Sequence, residues 1–253
     1  MNSNTSYKYM LLGIALIFMI GMLIVGSRQP SNVSDGAVYR PGVVVENVSQ
    51  GEWSARHWQW TLSLPAGSNP GQDVTGTYCG FGQSGPVFFL PRNFAPCTVP
   101  AGTSILIPIV GTECSTSEPV PFSGTSEDEL RGCAAAEVER YTNIEVRING
   151  EVVPNIQSYR TSTPLFSVML PEENVLGAPA GATYAVADGY HVMIKPLDPG
   201  EHEIVVHLEL ADGTVLPDKF AVITVVEPTW ERPQATPAVA TPVVTDNGPR
   251  VSR

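Results

Sequence analysis

Residues Ile144, Val146 and Ile148 alternate with Glu145 and Arg147, the period-two pattern of a strand with one face buried. Asn149-Gly150 follows as a two-residue hairpin turn, and residues 151–153 return from it. Farther on, Tyr190, Val192 and Ile194 share one face. A Pro- and Gly-rich turn at 196–200 leads to His202, Ile204, Val206 and Leu208, which continue that apolar face. Asp212-Gly213 makes the next turn, and Phe220, Val222, Thr224 and Val226 mark the last strand. Residues 87–90, 105–110 and 166–170 are shorter apolar runs that also read as strands.

Two segments break this pattern. Ser49 and Glu52 have the spacing of a capping box, and Trp53, His57, Trp60 and Leu64 then recur at helical intervals until Pro65. Trp58 lies off that stripe. A second helix opens at 125–130, where Glu127, Asp128 and Glu129 suit a helix N-terminus. Arg140 suits its C-terminal end, and the pattern predicts a stop near Asn143. Strands with Gly- and Pro-rich turns, and no strand–helix alternation, predict a mainly β fold. The expected form is an antiparallel immunoglobulin-like sandwich elaborated with two helices and long disulfide-stapled loops.

Residues 10–26 form one apolar run between Lys8 and Arg28. It is short for a transmembrane anchor and long for the core of a cleaved signal segment, and both readings stay open. The expected organisation is a short segment at 1–9, the anchor or signal at 10–26, and a stalk at 27–37. A β-rich extracytoplasmic domain at 38–228 and a flexible Pro/Thr-rich tail at 229–253 complete it. The domain is expected outside the cytoplasm, membrane-anchored or secreted, and the membrane is a partner if the run is retained.

Charge narrows the partners. With 14 Lys+Arg against 25 Asp+Glu, the formal net charge is -11. Scattered cations exclude a phosphate-backbone footprint, so no nucleic acid is expected. Repulsion argues against an anionic membrane surface. Cys79, Cys97, Cys114 and Cys133 are 18, 17 and 19 positions apart, unlike a metal knuckle. Local loops favour Cys79–Cys97 and Cys114–Cys133 disulfides over the other pairings.

Candidate chemistry is sparse, and no cofactor is implied. Trp58 and Trp60, with Gln83 in the glycine-rich loop, are candidate ligand-binding residues, since indoles suit sugar and apolar ligands. Packing against a sheet is the competing role. If the strands carrying Tyr190 and Ile204 pair, His191 and His207 lie diagonally on one face, with Glu203, Glu209 and Asp188 near them. That arrangement is a candidate metal site, although zinc needs three or four converging ligands. For a hydrolase, the candidates are His57 as base, Asp73 as orienter or acid, and Arg92 or Arg160 as anion-binding group.

Several fragments together resemble a pattern found in uncharacterised exported bacterial proteins. They are Trp58 and Trp60 followed by Asn69-Pro70, Asp73 and Thr75-Gly76, then Gly82-Gln83, Gly85-Pro86-Val87 and Phe89-Leu90. Tyr159-Arg160 with Ser162, Pro164 and Phe166 also belongs, as does Ala187-Asp188-Gly189-Tyr190 followed by Pro196-Leu197, Pro199-Gly200 and His202. The resemblance implies an exported β-rich protein and carries over no activity. Where that pattern often has an aromatic after Tyr190, this chain has His191. The expected function is therefore an extracytoplasmic binding or envelope-associated module for an envelope component or small molecule. The alternative is a secreted hydrolase with a pocket near His57 and Asp73, with metal dependence left open.

Overall fold

The runs Ser104–Ser115 and Gly181–Ile194 are buried at nearly every position in their central stretches, without the alternation of a half-solvated strand. Such strands need cover on both faces. The computed structural model, which describes residues 36–227, gives them that cover in a three-layer arrangement. In chain order the helices are α1 (Gln50–Ser63) and α2 (Glu127–Val138). The strands are β1 (Val87–Phe89), β2 (Cys97–Pro100), β3 (Ser104–Ser115), β4 (Tyr141–Ile148), β5 (Glu151–Val152), β6 (Arg160–Ser162), β7 (Phe166–Leu170), β8 (Gly181–Ile194), β9 (Gly200–Leu210) and β10 (Lys219–Val226).

One five-stranded sheet has the order β1-β3-β8-β6, with β7 also paired to β8. The other has the order β2-β10-β9-β4-β5. Ile105, Ile107, Val192 and Ile194 of the first sheet share one apolar cluster with Ile144, Val146, Ile204, Val206, Ile223 and Val225 of the second. The opposite face of the first sheet is covered by α1. There Trp53 and Trp60 pack on Phe89, Leu106 and Met193, while Trp58 and Leu62 pack on Phe166, Val168, Ala185 and Ala187. Helix α2 covers the far end, with Leu130 and Ala134 against Cys114 and Val186. Disulfides join Cys79 to Cys97 and Cys114 to Cys133, with Cα separations of 5.7 and 6.2 Å.

Several expectations need correction. The sheets are mixed, because β1 pairs parallel with β3 and β2 pairs parallel with β10. β8 and β9 do not pair; they belong to different sheets. Pro196 and Pro199, which lack an N–H, lie in the connection that carries the chain from one sheet to the other. The inward face of β10 carries Ala221, Ile223 and Val225, whereas Phe220 is 53% exposed. Helix α2 ends at Val138, because residues from Tyr141 onward pair with β9. At the expected junction of stalk and domain, the Ala37 carbonyl accepts from Lys195 N–H at 2.7 Å. Among the described residues no helix is long and apolar enough to cross a membrane, so they do not support the transmembrane expectation, which rests on residues 10–26. Residues 1–9, 10–26 and 229–253 lie outside the described residues.

The β3–β8 ladder contains the irregularity that shapes the site. Its register runs Pro108↔His191 and then Val110↔Tyr190, so Ile109 is the extra residue of a bulge. Just beyond it Gly111 and Gly189 face each other. A Cβ on Gly189 would lie 2.5 Å from the Val110 carbonyl oxygen and 2.7 Å from Gly111 Cα, both of them backbone atoms. We therefore expect Gly189→Ala to destabilise the protein by about 3 kcal/mol, read as a fall in the urea midpoint of the oxidised protein. An unchanged midpoint contradicts this close approach.

Candidate functional site

Helix α1 starts as its sequence requires. Ser49 Oγ accepts from Glu52 N–H at 3.3 Å, and the Glu52 carboxylate accepts from Ser49 N–H at 3.0 Å. This cap fixes the phase of the helix and turns its aromatic face onto the first sheet. His57 then sits in a ring of aromatic groups, 5.8 Å from Phe89, 5.9 Å from Trp60, and 6.0 Å from both Trp58 and His191 between centroids. It is 1% exposed, and neither ring nitrogen has a hydrogen-bond partner. Burial pushes its pKa down to about 3, His191 and the Arg92 charge act in the same direction, and a main-chain group of Leu90, outside good hydrogen-bond geometry but near enough to act on the ring, opposes them. His191, also 1% exposed, lies within 3.2 Å of Ser54 Oγ, and burial lowers its pKa to about 4. Both imidazoles are neutral at ordinary pH.

Two adjoining lobes open beside this pair. The inner lobe, about 110 Å³, is lined by His57, His191, Arg92, Lys219 and the bulge residues of β3. The outer lobe, about 270 Å³, reaches Leu62, Asn69, Glu113, Glu118 and Leu176. Trp58, Arg92, Gly111 and Thr112 line both lobes. The Arg92 guanidinium lies 5.5 Å from the Trp58 ring centroid, in cation–π range. Trp58 Nε1 is buried without a partner.

Glu113 is 5% exposed, and counted as a carboxylate it has no donor to either oxygen. Burial raises its pKa well above the usual carboxylate range, the charge of Glu118 and a proton shared with it add to this, and Arg92 opposes it. The shared proton supplies one of the missing hydrogen bonds. Burial also raises Glu118, against hydrogen bonds from Glu113 and Ser115, whose hydroxyl donates at 3.1 Å. Glu113 is thus a neutral acid that is able to donate, set beside an acid that accepts.

The other sequence candidates are dispersed. Asp73 is on a partly exposed loop, where its carboxylate accepts from Thr75 N–H at 2.9 Å, the Thr75 hydroxyl at 2.6 Å and Tyr78 N–H at 2.8 Å. These bonds hold its pKa below the usual range, and it is not among the groups around His57. Arg160 donates to Asp188 at 2.7 Å and so ties β6 to β8. Gln83 clasps β1, donating to the Phe89 carbonyl at 2.7 Å and accepting from Phe89 N–H at 2.9 Å. Trp60 donates to the Phe81 carbonyl at 2.9 Å. His191 and His207 are on different sheets, and His207 pairs with Asp218 at 2.9 Å. The proposed metal face is therefore not assembled, and among the described residues no group of three metal-ligating side chains converges. Of the sequence candidates, the cleft gathers Trp58, Arg92, His57 and His191, and it adds Glu113, Glu118 and Lys219. The one local signal for Glu113 is an acid inside an otherwise buried strand.

No family model matches the chain, and no curated protein matches it. Two solved structures are similar over part of it. One is a cysteine protease inhibitor from Entamoeba histolytica, 10% identical over 55% of this chain and 95% of that one, with a TM-score of 0.21. The other is the solution structure of amebosin, 12% identical over 56% of this chain and 96% of that one, with a TM-score of 0.20. Scores this low constrain neither the fold nor the ligand.

The depressed His57 pKa fixes the sign of a pH effect. Above the unfolded value near 6.5 both states are neutral and the group contributes no pH dependence. Below it the unfolded chain takes up a proton that the folded chain refuses, so stability falls by about 1.4 kcal/mol per pH unit for this group. Glu113, raised in the folded state, acts with the opposite sign. The comparison is therefore between the native chain and His57→Phe. We expect the variant to match or exceed native stability at pH 7 and to show the shallower decline between pH 6 and 4 in urea titrations. Equal slopes contradict the neutral, unpartnered imidazole.

Proposed function

We propose that this chain is an extracytoplasmic binding module built on an immunoglobulin-like sandwich. Its ligand seat is the cleft between α1 and the bulged segment of β3. One observation carries the reading. Among the described residues, the buried side-chain atoms left without a hydrogen-bond partner are His57 Nδ1 and Nε2, Trp58 Nε1 and, once its proton is shared with Glu118, one oxygen of Glu113, and all three residues line this cleft. Leaving such a group unpaired costs about 1–3 kcal/mol, so native interiors rarely collect them in one place. A small polar ligand with an apolar face answers these groups. Trp58 offers an edge and an N–H, Glu113 the oxygen left over from its shared proton with Glu118 as an acceptor, and Arg92 a charged side wall. The exported bacterial proteins that the sequence resembles fit the same setting.

The cleft supports binding better than hydrolysis. His57 has no acid or hydroxyl partner, and Ser54, the hydroxyl nearest His191, is fully buried. Neither pair meets the geometric requirement for an accessible nucleophile and base.

The test is a titration of ¹⁵N-labelled protein with a panel of small oligosaccharides, amides and carboxylates, following the indole N–H of Trp58. We expect at least one class to shift that signal saturably, and Trp58→Phe to weaken its binding roughly tenfold, the equivalent of one lost buried hydrogen bond. A panel that leaves the Trp58 signal unmoved while shifting surface residues overturns the assignment of the seat.

A further inference from the structure

We infer that the inner lobe of the cleft is a seat for a small anion, a carboxylate or a tetrahedral oxyanion, held between Arg92 and Lys219. This deepens the reading of the cleft as a ligand seat and rests on it. Four basic side chains, His57, Arg92, His191 and Lys219, line a cavity of about 110 Å³, and no Asp or Glu lines it. The concentration is unexpected in a chain with 14 Lys+Arg and a net charge of -11.

The placement of Lys219 is a consequence of the fold. It shares the inward face of β10 with Ala221, Ile223 and Val225, so its stem runs between the sheets. Its ammonium donates to the Ile109 carbonyl at 3.0 Å and lies 5.4 Å from the Phe94 ring centroid. Ile109 is the extra residue of the β3 bulge, and its carbonyl is turned to that ammonium. Among the described residues neither Lys219 nor Arg92 has a carboxylate in an ion pair. The two cations are near enough for Arg92 to disfavour the charged form of Lys219. An anion between them removes that repulsion. His57, 1% exposed with both ring nitrogens unpartnered, adds a neutral donor from the third side.

The seat is pH-dependent. Burial, and then Arg92, bring Lys219 down to about 8. The other titratable or charged groups facing it are Arg92 after β1, His57 of α1, His191 of β8 and Tyr141 of β4, with Glu113 on the outer side of Arg92. Both imidazoles are already neutral at pH 7. Anion affinity therefore falls as pH rises through 8 to 9 and Lys219 loses its proton.

The experiment is a calorimetric and NMR titration of the full oxidised chain with sodium acetate and sodium phosphate at constant ionic strength in chloride. We expect saturable binding of at least one of them, and the tighter of the two decides between carboxylate and oxyanion. Arg92→Gln and Lys219→Met should each weaken it roughly tenfold or more, as for a lost charged hydrogen bond. Arg92 is exposed, so its variant tests the idea even if the Lys219 variant folds poorly. No saturation by either anion, or unchanged affinity in both variants, overturns the anion seat. If an uncharged compound still shifts Trp58, the wider reading of the cleft survives that result; if nothing shifts it, both fail.

Discussion

A proline inside a strand that is covered on both faces has no N–H to give the ladder, and β3 takes up Pro108 with a bulge before Val110. Much of the site depends on that irregularity. The extra residue, Ile109, presents its carbonyl to Lys219 of the second sheet. The strand beyond the bulge returns so close to β8 that glycine is needed at 189. The bulge residues also form one wall of the inner lobe, opposite the imidazoles that α1 and β8 bring together. A regular ladder would leave neither the cavity nor a free carbonyl for the ammonium.

The second feature is electrical. Burial is the largest cause that keeps His57 and His191 unprotonated, and with the neighbouring Glu118 it keeps a proton on Glu113. The interior around the cleft is therefore rich in hydrogen-bonding groups but poor in net charge until Arg92 and Lys219 are reached. Such a surface suits recognition of a polar ligand through directed hydrogen bonds, with cations at one end to set its orientation. Its two imidazoles are held at pKa values of about 3 and about 4, and the hydroxyl beside His191, that of Ser54, is fully buried.

What could be read from the sequence was local. The Ser49–Glu52 box and the hairpin turn at Asn149-Gly150 are specified by residues a few positions apart, and both are present. Helical spacing put His57 among aromatic groups, and the fold keeps it there. The mainly β class, with two sheets, two helices and disulfides, follows from the same short-range patterns. The failures are long-range. Neighbouring strands β8 and β9 were expected to pair, but the prolines between them accompany a change of sheet, which separates His191 from His207. The inward parity of β10 depends on packing against the other sheet, and it turns Lys219, Ala221, Ile223 and Val225 inward rather than the set that includes Phe220. Glu113 meets Arg92 and Glu118 only once a strand and two loops are assembled, and no spacing in the sequence announces the meeting with Arg92.

The central claim is that a preformed cleft leaves His57, Trp58 and one oxygen of Glu113 to be satisfied by something other than the protein. The most direct measurement is a high-resolution crystallographic map of the full oxidised chain at neutral pH. The account predicts ordered density inside the cleft, within hydrogen-bond distance of Trp58 Nε1, a Glu113 oxygen and an imidazole nitrogen of His57. A cleft filled by the protein's own side chains, with these atoms bonded to one another or to the main chain, would contradict it.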